Sequence, residues 1–312
     1  MNHPINRPVL VTGASGNVGS AVVQSLIAAG IPVRAAGTDT AALERTFPGI
    51  EVAHLDFHTP ATFGPALHGV GALFLLRPPP IVRVGPTLNA LVDVAEETGL
   101  DHVVFSSVTG ADTNPVVPHH RVETHLQASS LSWTILRPGF FAQNLADAYR
   151  TDILLDDRIY LPAGRGRAAF IDVRDLGDVA ATVFANPAVH RSAGYTLTGS
   201  QAVGFEEVAA VLTRELGRPI RYQPASILAY LRHLRGQGLP SPQVLVQTVL
   251  HTGLRRGQAQ RVDPTLGRLL GRPPRTLQQY VHDHRSTWST PAPARPPARP
   301  PARPPARPPA RP

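Results

Sequence analysis

Residues 11–30 read VTGASGNVGSAVVQSLIAAG, and within them Gly13, Gly16 and Gly19 stand at G-x-x-G-x-x-G spacing. Ahead of the glycines lies the apolar run 8–12 (PVLVT), and residues 19–29 after them carry apolar side chains at i, i+3, i+4 spacing. Strand, glycine loop and helix in that order form the entrance to a dinucleotide-binding βαβ unit. Each glycine has its own task. Gly13 permits the tight turn, Gly16 leaves room for the backbone N–H groups around Ser15, Asn17 and Val18 to approach a pyrophosphate, and Gly19 lets the helix pack closely on the sheet. The helix start then offers unpaired N–H donors and a partial positive charge to the phosphates.

Outward from this loop the same rhythm repeats. Residues 8–12, 32–36, 52–55, 72–76, 102–106 and 133–136 read as strands, most of them short apolar runs bounded by Gly, Pro, Asp or Ser. Residues 19–29, 60–67, 87–99 and 121–129 have helical spacing. Strands apolar on both faces, alternating with helices, predict an α/β fold with a Rossmann-type, doubly wound parallel sheet. After Asn144 the rhythm breaks. Residues 195–197 read as one more strand rejoining the sheet. Residues 205–216, 226–234, 242–253 and 276–285 predict a smaller, mostly helical lobe, with a cleft between it and the sheet. The expected division is an NAD(P)-binding core over 1–144, a substrate-cleft lobe over 145–288 and a disordered Pro/Ala/Arg repeat over 289–312. Proline fixes φ and removes donors, so this tail is expected to be extended polyproline II, with P-x-x-P docking the weaker alternative.

Composition narrows the function. The 312 residues, 42% hydrophobic and 17% charged, suffice for one large domain or two with a sizeable core. Cysteine is absent, which excludes disulfides, thiolate metal sites and a cysteine nucleophile. All 30 basic residues are arginines, which excludes a Schiff base and a P-loop lysine. The net charge of +8 includes Arg295, Arg299, Arg303, Arg307 and Arg311, so residues 1–294 carry only +3 and no nucleic-acid partner is expected. No apolar run approaches the ~20 residues of a membrane span, the longest being about 69–76, and with MNHPINRPVL running straight into a strand pattern no signal peptide is expected. A cytoplasmic protein without a membrane partner is expected. His282 and His284 lack further ligands at metal spacing, so no metal is expected and the pair reads as a polar helix face.

The second strand bears on which nucleotide binds. An acid near its end would take the ribose 2′-OH of NAD, an arginine the 2′-phosphate of NADP. Asp39 lies 20 residues beyond Gly19 but falls in the turn after the strand, and Arg34 lies within the strand, where alternation can point it away. The signals conflict, and the expected cofactor is NAD(P), tipped slightly towards NADP.

From the loop onward the chain resembles the NmrA-like, atypical short-chain dehydrogenase/reductase family, which includes type-2 NAD(P)H-quinone oxidoreductases and triphenylmethane reductase. The resemblance is carried, in order, by TGASGNVG, VRAAGTD, GIEVAHLDF, ALFLLRPP, HVVFSSV, HHRVETHLQASSLSWTILRPGFF, FIDVRDL and LLGRPPRTLQQYV, over about residues 8–288. It implies that Asp56 and Phe57 line the adenine site, that Leu76, Arg77 and Pro78 pass along the cofactor, and that Ser106 lies under the nicotinamide ribose. It also implies that Pro138 contacts the nicotinamide and that Phe140, Phe141 and Asn144 face the substrate. NADP-preferring members often carry arginine where this chain has Thr38. Arg77 replaces a commoner small hydroxyl residue, and its guanidinium beside a phosphate would partly compensate.

The wider superfamily uses a Tyr-x-x-x-Lys dyad, which a chain without lysine cannot form. Counting back four residues from Glu123 places His119 at the family's lysine position and Pro115 at the tyrosine position. His119 thus resembles the histidine of the quinone and triphenylmethane reductases, able to hydrogen-bond a ribose hydroxyl or donate to substrate. A quinone or conjugated dye cation accepts hydride with little proton help, so the expected function is NAD(P)H-dependent reduction of a planar, electron-poor small-molecule acceptor by proximity in a dry cleft. The rival is a non-catalytic NAD(P)-sensing regulator with a protein partner. The apolar GFFAQN stretch and His119 favour the reductase; the missing dyad favours the sensor. Elsewhere, Asp175 rather than Asp172 is expected to cap the helix running to Phe184, Arg255 and Arg256 to be solvated, Arg272 and Arg275 to hold the C-terminal helix, and VLVQTVL to be a core stripe.

Overall fold

The computed structural model describes residues 7–289; the reading of the Pro/Arg repeat falls outside them. Seven parallel strands form one sheet in the order β11-β6-β5-β4-β1-β2-β3. They are β1 (Val9–Val11), β2 (Val33–Gly37), β3 (Glu51–His54), β4 (Ala72–Leu76), β5 (His102–Ser106), β6 (Trp133–Pro138) and, from much later in the chain, β11 (Ala193–Leu197). The order reverses between β1 and β4, where a doubly wound sheet opens a crevice at its carboxyl ends.

The sheet is buried on both faces, and its alternation sorts side chains between two layers. Val9, Val11, Phe74 and Val104 face α1 (Asn17–Ala28), α7 (Val173–Ala185) and α11 (Thr265–Leu270), packing on Val22, Leu26, Leu176 and Leu266. Leu10, Leu73, Leu75, Phe105 and Ile135 face α3 (Phe63–Leu67), α4 (Ala90–Glu97) and α5 (Pro118–Ala128), packing on Phe63, Leu91, Val92 and Val122. The short α2 (Thr40–Thr46) was not foreseen. Asp39 caps it by accepting from Ala42 N at 2.9 Å, so Asp39 is a helix cap. Helix α5 starts three residues earlier than its periodicity suggests because Pro118 suits the first helical position; His119 therefore lies inside its first turn.

A second core lies beyond the sheet. It gathers α6 (Arg150–Asp156), α8 (Phe205–Leu216), α9 (Ile227–Gly236), α10 (Ser241–Leu254) and α12 (Leu277–Asp283) around Tyr149, Phe205, Tyr230, Tyr280 and the fully buried Trp288, whose indole donates to Leu145 O at 3.1 Å. Three two-stranded pairs brace it. Strand β7 (Phe140–Phe141) runs beside β10 (Phe170–Ile171), β9 (Arg167–Ala168) beside β12 (Val203–Gly204), and β8 (Arg158–Leu161) beside β13 (Arg221–Pro224). Pairs this short leave little alternation to read.

Two local expectations are corrected. The cap of α7 is Asp172, which accepts from Arg174 N at 2.9 Å, whereas Asp175 sits inside the first turn with no exposure. Arg255 and Arg256 are exposed, as expected, with Arg255 Nη2 also donating to Ala225 O at 3.0 Å. VLVQTVL buries only Val244 and Thr248; Leu245, Val246, Val249 and Leu250 face outward. Arg272 and Arg275 do hold the C-terminal segment, through Asp175 and Asp178 on α7.

Candidate functional site

The glycine loop joins β1 to α1 at the point where the strand order reverses. Gly13 has φ +63°, a left-handed conformation that favours glycine, and a Cβ there would lie 3.0 Å from Leu76 Cδ2. At Gly19 a Cβ would come within 2.2 Å of Gly13 O, so the helix rests on the loop with no room for a side chain. Gly16 is the N-cap of α1, without a side-chain cap and without an acidic residue in the first turn. Ser15, Gly16 and Asn17 are exposed and Val18 is half-buried. The helix start thus presents N–H donors that no side chain satisfies, a cradle that fits a diphosphate.

This end of α1 borders a cavity of about 280 Å³ lined by Ser15, Gly16, Asn17, Asp147, Arg174 and Tyr280, among others. Asn17 Nδ2 donates to Asp147 Oδ2 at 2.7 Å, and burial pulls the Asp147 carboxyl up against the lowering effect of that bond. Asp147 lines this cavity and was missed by sequence reasoning: nothing in the local pattern shows that residue 147 returns to residue 17.

The other predicted residues fall at the carboxyl ends of the strands, with exceptions. Leu76 ends β4, its N–H donating to Thr12 Oγ1 at 2.9 Å, and Ser106 ends β5, buried in register with Leu76 and Leu136. Pro138 ends β6, its carbonyl accepting from Thr109 N at 3.0 Å. Thr38 is exposed just beyond β2. Asp56 holds its own turn after β3, accepting from His58 N at 2.9 Å and from Thr59 Oγ1 at 3.1 Å; the backbone bond chiefly keeps its carboxyl below the usual range, with burial opposing. Phe57 is buried edge-on to Phe63.

Arg34 is not brought to the site. It donates to Ala66 O and His68 O at 2.8 and 2.7 Å and pairs with Glu51 at 2.6 Å, towards the amino edge of the sheet where β4 begins. Arg77 is likewise engaged inside the protein. Its Nη1 donates to the carbonyls of Pro78, Pro79 and Ile81, and its Nε donates to His119 Nε2 at 3.1 Å. The expectation of a guanidinium free for a phosphate is corrected: Arg77 shapes the loop after β4 and holds His119.

That contact defines His119. Arginine can only donate, so Nε2 accepts and the proton sits on Nδ1, which is buried without a partner. Burial, reinforced by the Arg77 charge, pushes the imidazole down to about 3. His119 is therefore a neutral donor at physiological pH and holds no proton to give as a strong acid. Its helix is anchored by a buried pair that the sequence reading passed over. Arg137 on β6 donates to Glu123 on α5 through Nε and Nη2, the latter at 2.6 Å, and Ser107 Oγ donates to Glu123 Oε1 at 2.5 Å. The clue was present in the ILRPGFF stretch as an arginine inside an otherwise apolar strand.

Phe140 and Phe141 stand between the two cores. Phe140 packs edge-on to Phe170 at 5.4 Å and to His251 at 6.3 Å, while Phe141 packs towards the sheet. Asn144 is half-buried, its carbonyl accepting from Tyr149 N at 3.0 Å. Behind Phe140, His251 accepts or donates between Tyr149 Oη at 2.5 Å and Tyr230 Oη at 2.9 Å, and burial pushes this imidazole down to about 4. No group of three or more metal-ligating side chains occurs among the described residues.

The sheet order, the glycine loop and the uncapped helix start together define a Rossmann-type dinucleotide-binding α/β protein. Residues 6–270 match the NmrA-like family, and the chain belongs to it. It is 32% identical over 287 residues to the NAD(P)H azoreductase of Xenophilus azovorans, covering 90% of this chain and 99% of that one. The structure of the Escherichia coli NADPH-dependent quinone oxidoreductase QOR2 complexed with NADPH superposes with a TM-score of 0.79 at 27% identity, covering 88% of this chain and 99% of that one. The Citrobacter triphenylmethane reductase, complexed with NADP(H), shares the fold with a TM-score of 0.78 at 23% identity, over 88% of this chain and 99% of that one. The azoreductase and the quinone oxidoreductase among these relatives are NAD(P)H-dependent oxidoreductases.

Proposed function

We propose that the chain is an NAD(P)H-dependent reductase of planar, electron-poor organic acceptors of the quinone or azo type, working without a Tyr–Lys dyad. The observation that carries this reading is the start of α1, which is left without a cap or an acid at the sheet's switch point. Gly13, Ser15, Gly16, Asn17, Val18 and Gly19 would hold the diphosphate. Thr38, Asp56 and Phe57 would border the adenosine, and Leu76, Pro78, Ser106 and Pro138 the nicotinamide half. A reduced nicotinamide supplies the hydride when bound.

The chain's own residues bind, orient and keep the site dry. Phe140 and Phe141 offer apolar walls to a flat acceptor, and Asn144 lies beside them. His119, held neutral by Arg77 and burial, has a spare Nδ1–H for a ribose hydroxyl or an acceptor oxygen. An acceptor that delocalises the incoming charge suits such a site, whereas alcohol oxidation, which needs a base, does not. The withdrawal of Arg34 and Arg77 leaves the 2′-phosphate without either arginine, so the cofactor is NAD(P)H with less than about tenfold discrimination, or ~1.4 kcal/mol.

A panel of quinones, azo dyes and cationic dyes, followed by loss of reduced-nicotinamide absorbance with NADH and NADPH, tests the reading. Turnover of several flat acceptors with either cofactor is expected. Saturable nucleotide binding with no turnover across the panel would assign the chain to the sensing role instead.

A further inference from the structure

The outward face of helices α9 and α10 has no task in the site. Among the 14 residues of α10 none is charged. Its inner side buries Val244, Thr248, His251 and Leu254, while Leu245, Val246, Val249 and Leu250 on the other side are 56–62% exposed. These four form two adjacent i, i+4 rows, a continuous apolar strip along the helix. Helix α9 packs against α10 and shows Leu228, 66% exposed, on the same face as Arg232 one turn later and Arg235 two turns later.

Charge decides what this surface fits. Residues 225–262 contain no aspartate or glutamate, while Arg232, Arg235, Arg255, Arg256 and Arg261 all lie at the surface. A second copy docked face to face would bring arginine rims together with no carboxylate from these helices between them. An anionic lipid surface answers both features, since acyl chains take the leucines and valines and phosphates take the guanidinium groups. No described helix is long and apolar enough to cross a membrane, so contact would be by lying on the surface. The expectation of no membrane partner rested on the lack of a span, which does not address this mode.

We propose that the apolar strip of α10, with Leu228, Arg232 and Arg235 of α9, docks the protein on anionic membrane surfaces. The proposal stands on this surface alone and does not require the reductase reading.

Flotation of the full chain with phosphatidylcholine vesicles, with and without phosphatidylglycerol, tests it. The protein is expected to float with the anionic vesicles at about 0.1 M salt and to detach at about 1 M, where the screening length falls from ~10 to ~3 Å. The triple substitution Leu245→Ser, Val249→Ser, Leu250→Ser is expected to lower partitioning about tenfold or more, and Arg232→Ser with Arg235→Ser by about tenfold. Both variants should melt like the parent, because the altered side chains face outward. The C-terminal arginines are present in every variant, so any binding of their own cancels in the comparison. Flotation unchanged by the triple substitution, absence of flotation, or self-association abolished by that substitution while flotation persists would each overturn the proposal.

Discussion

Helices α1 and α7 pack side by side on one face of the sheet, so closely that a Cβ on Gly177 would come within 2.6 Å of Ala21 O, yet their first turns are opposite in construction. The start of α7 is closed by the chain's own carboxylates. Asp172 accepts from the backbone and side chain of Arg174, and the fully buried Asp175 accepts from Arg272 Nη2, Arg275 N and Arg275 Nη1. The start of α1 has a glycine cap and no acid. Both helices carry the same dipole and the same orphan donors. One set is answered internally and the other is left for a ligand, and this difference, more than the glycine spacing itself, marks the site.

The largest effect on nucleotide affinity should come from Gly19→Val. Its Cβ would collide with backbone at 2.2 Å, and nucleotide affinity measured by calorimetry should fall by more than about 100-fold, or ~2.7 kcal/mol. At the other helix start, Asp175→Asn leaves Arg272 and Arg275 without their shared buried charge and should cost about 3 kcal/mol in urea denaturation, with nucleotide affinity unchanged. A large affinity loss in that variant would erase the distinction between the two ends.

Acid should separate them further. Burial pushes the Asp172 carboxyl up, but hydrogen bonds from Arg174 and Gln143 and the Arg174 charge bring it below the usual range; Asp178 is likewise lowered, mainly by Arg275, Ser25 and Arg272. Asp147 beside α1 is raised. As pH falls, the charge at the α1 mouth is lost first, and binding of NAD⁺, whose diphosphate stays ionised, should strengthen while the α7 carboxylates remain charged. The fold as a whole weakens over the same range. Burial first, then the charges of His190 and Arg191, holds His102 down at about 4; burial holds His251 at about 4; and burial with Arg77 holds His119 at about 3. In the unfolded chain these histidines titrate near 6.5, so stability complete above that pH should decline towards pH 4, by up to about 1.4 kcal/mol per pH unit for each. Equal urea midpoints at pH 7 and pH 5 would contradict this. The smallest effect is expected of Asp147→Asn, which removes a carboxylate near the loop and should tighten nucleotide binding about two- to fivefold, or ~0.4–1 kcal/mol.

The sheet was legible because its central strands are buried on both faces and its helices carry apolar stripes, signals that depend only on near neighbours in sequence. The glycine loop was legible for the same reason. What escaped depends on contacts between distant residues. Asp147 meets Asn17 across 130 positions, Asp175 meets Arg275 across 100, and Arg77 turns back onto His119 across 42. Periodicity also misjudged α10: its helical apolar spacing read as a core stripe, and only the packing shows that Leu245, Val246, Val249 and Leu250 face outward while Val244 is buried.

The most direct test transplants the closed design of α7 onto α1. Gly16 has φ −90° and ψ 169°, and a Cβ there would meet only Gly13 O at 3.5 Å, so Gly16→Asp fits as an acidic N-cap. Calorimetric titration with NADPH and NADH should show saturable binding by the parent and binding at least about 30-fold weaker, or ~2 kcal/mol, by Gly16→Asp, with the melting temperature unchanged or raised. Equal affinity in the two proteins, or no binding by the parent, would contradict the assignment of a diphosphate to the start of α1.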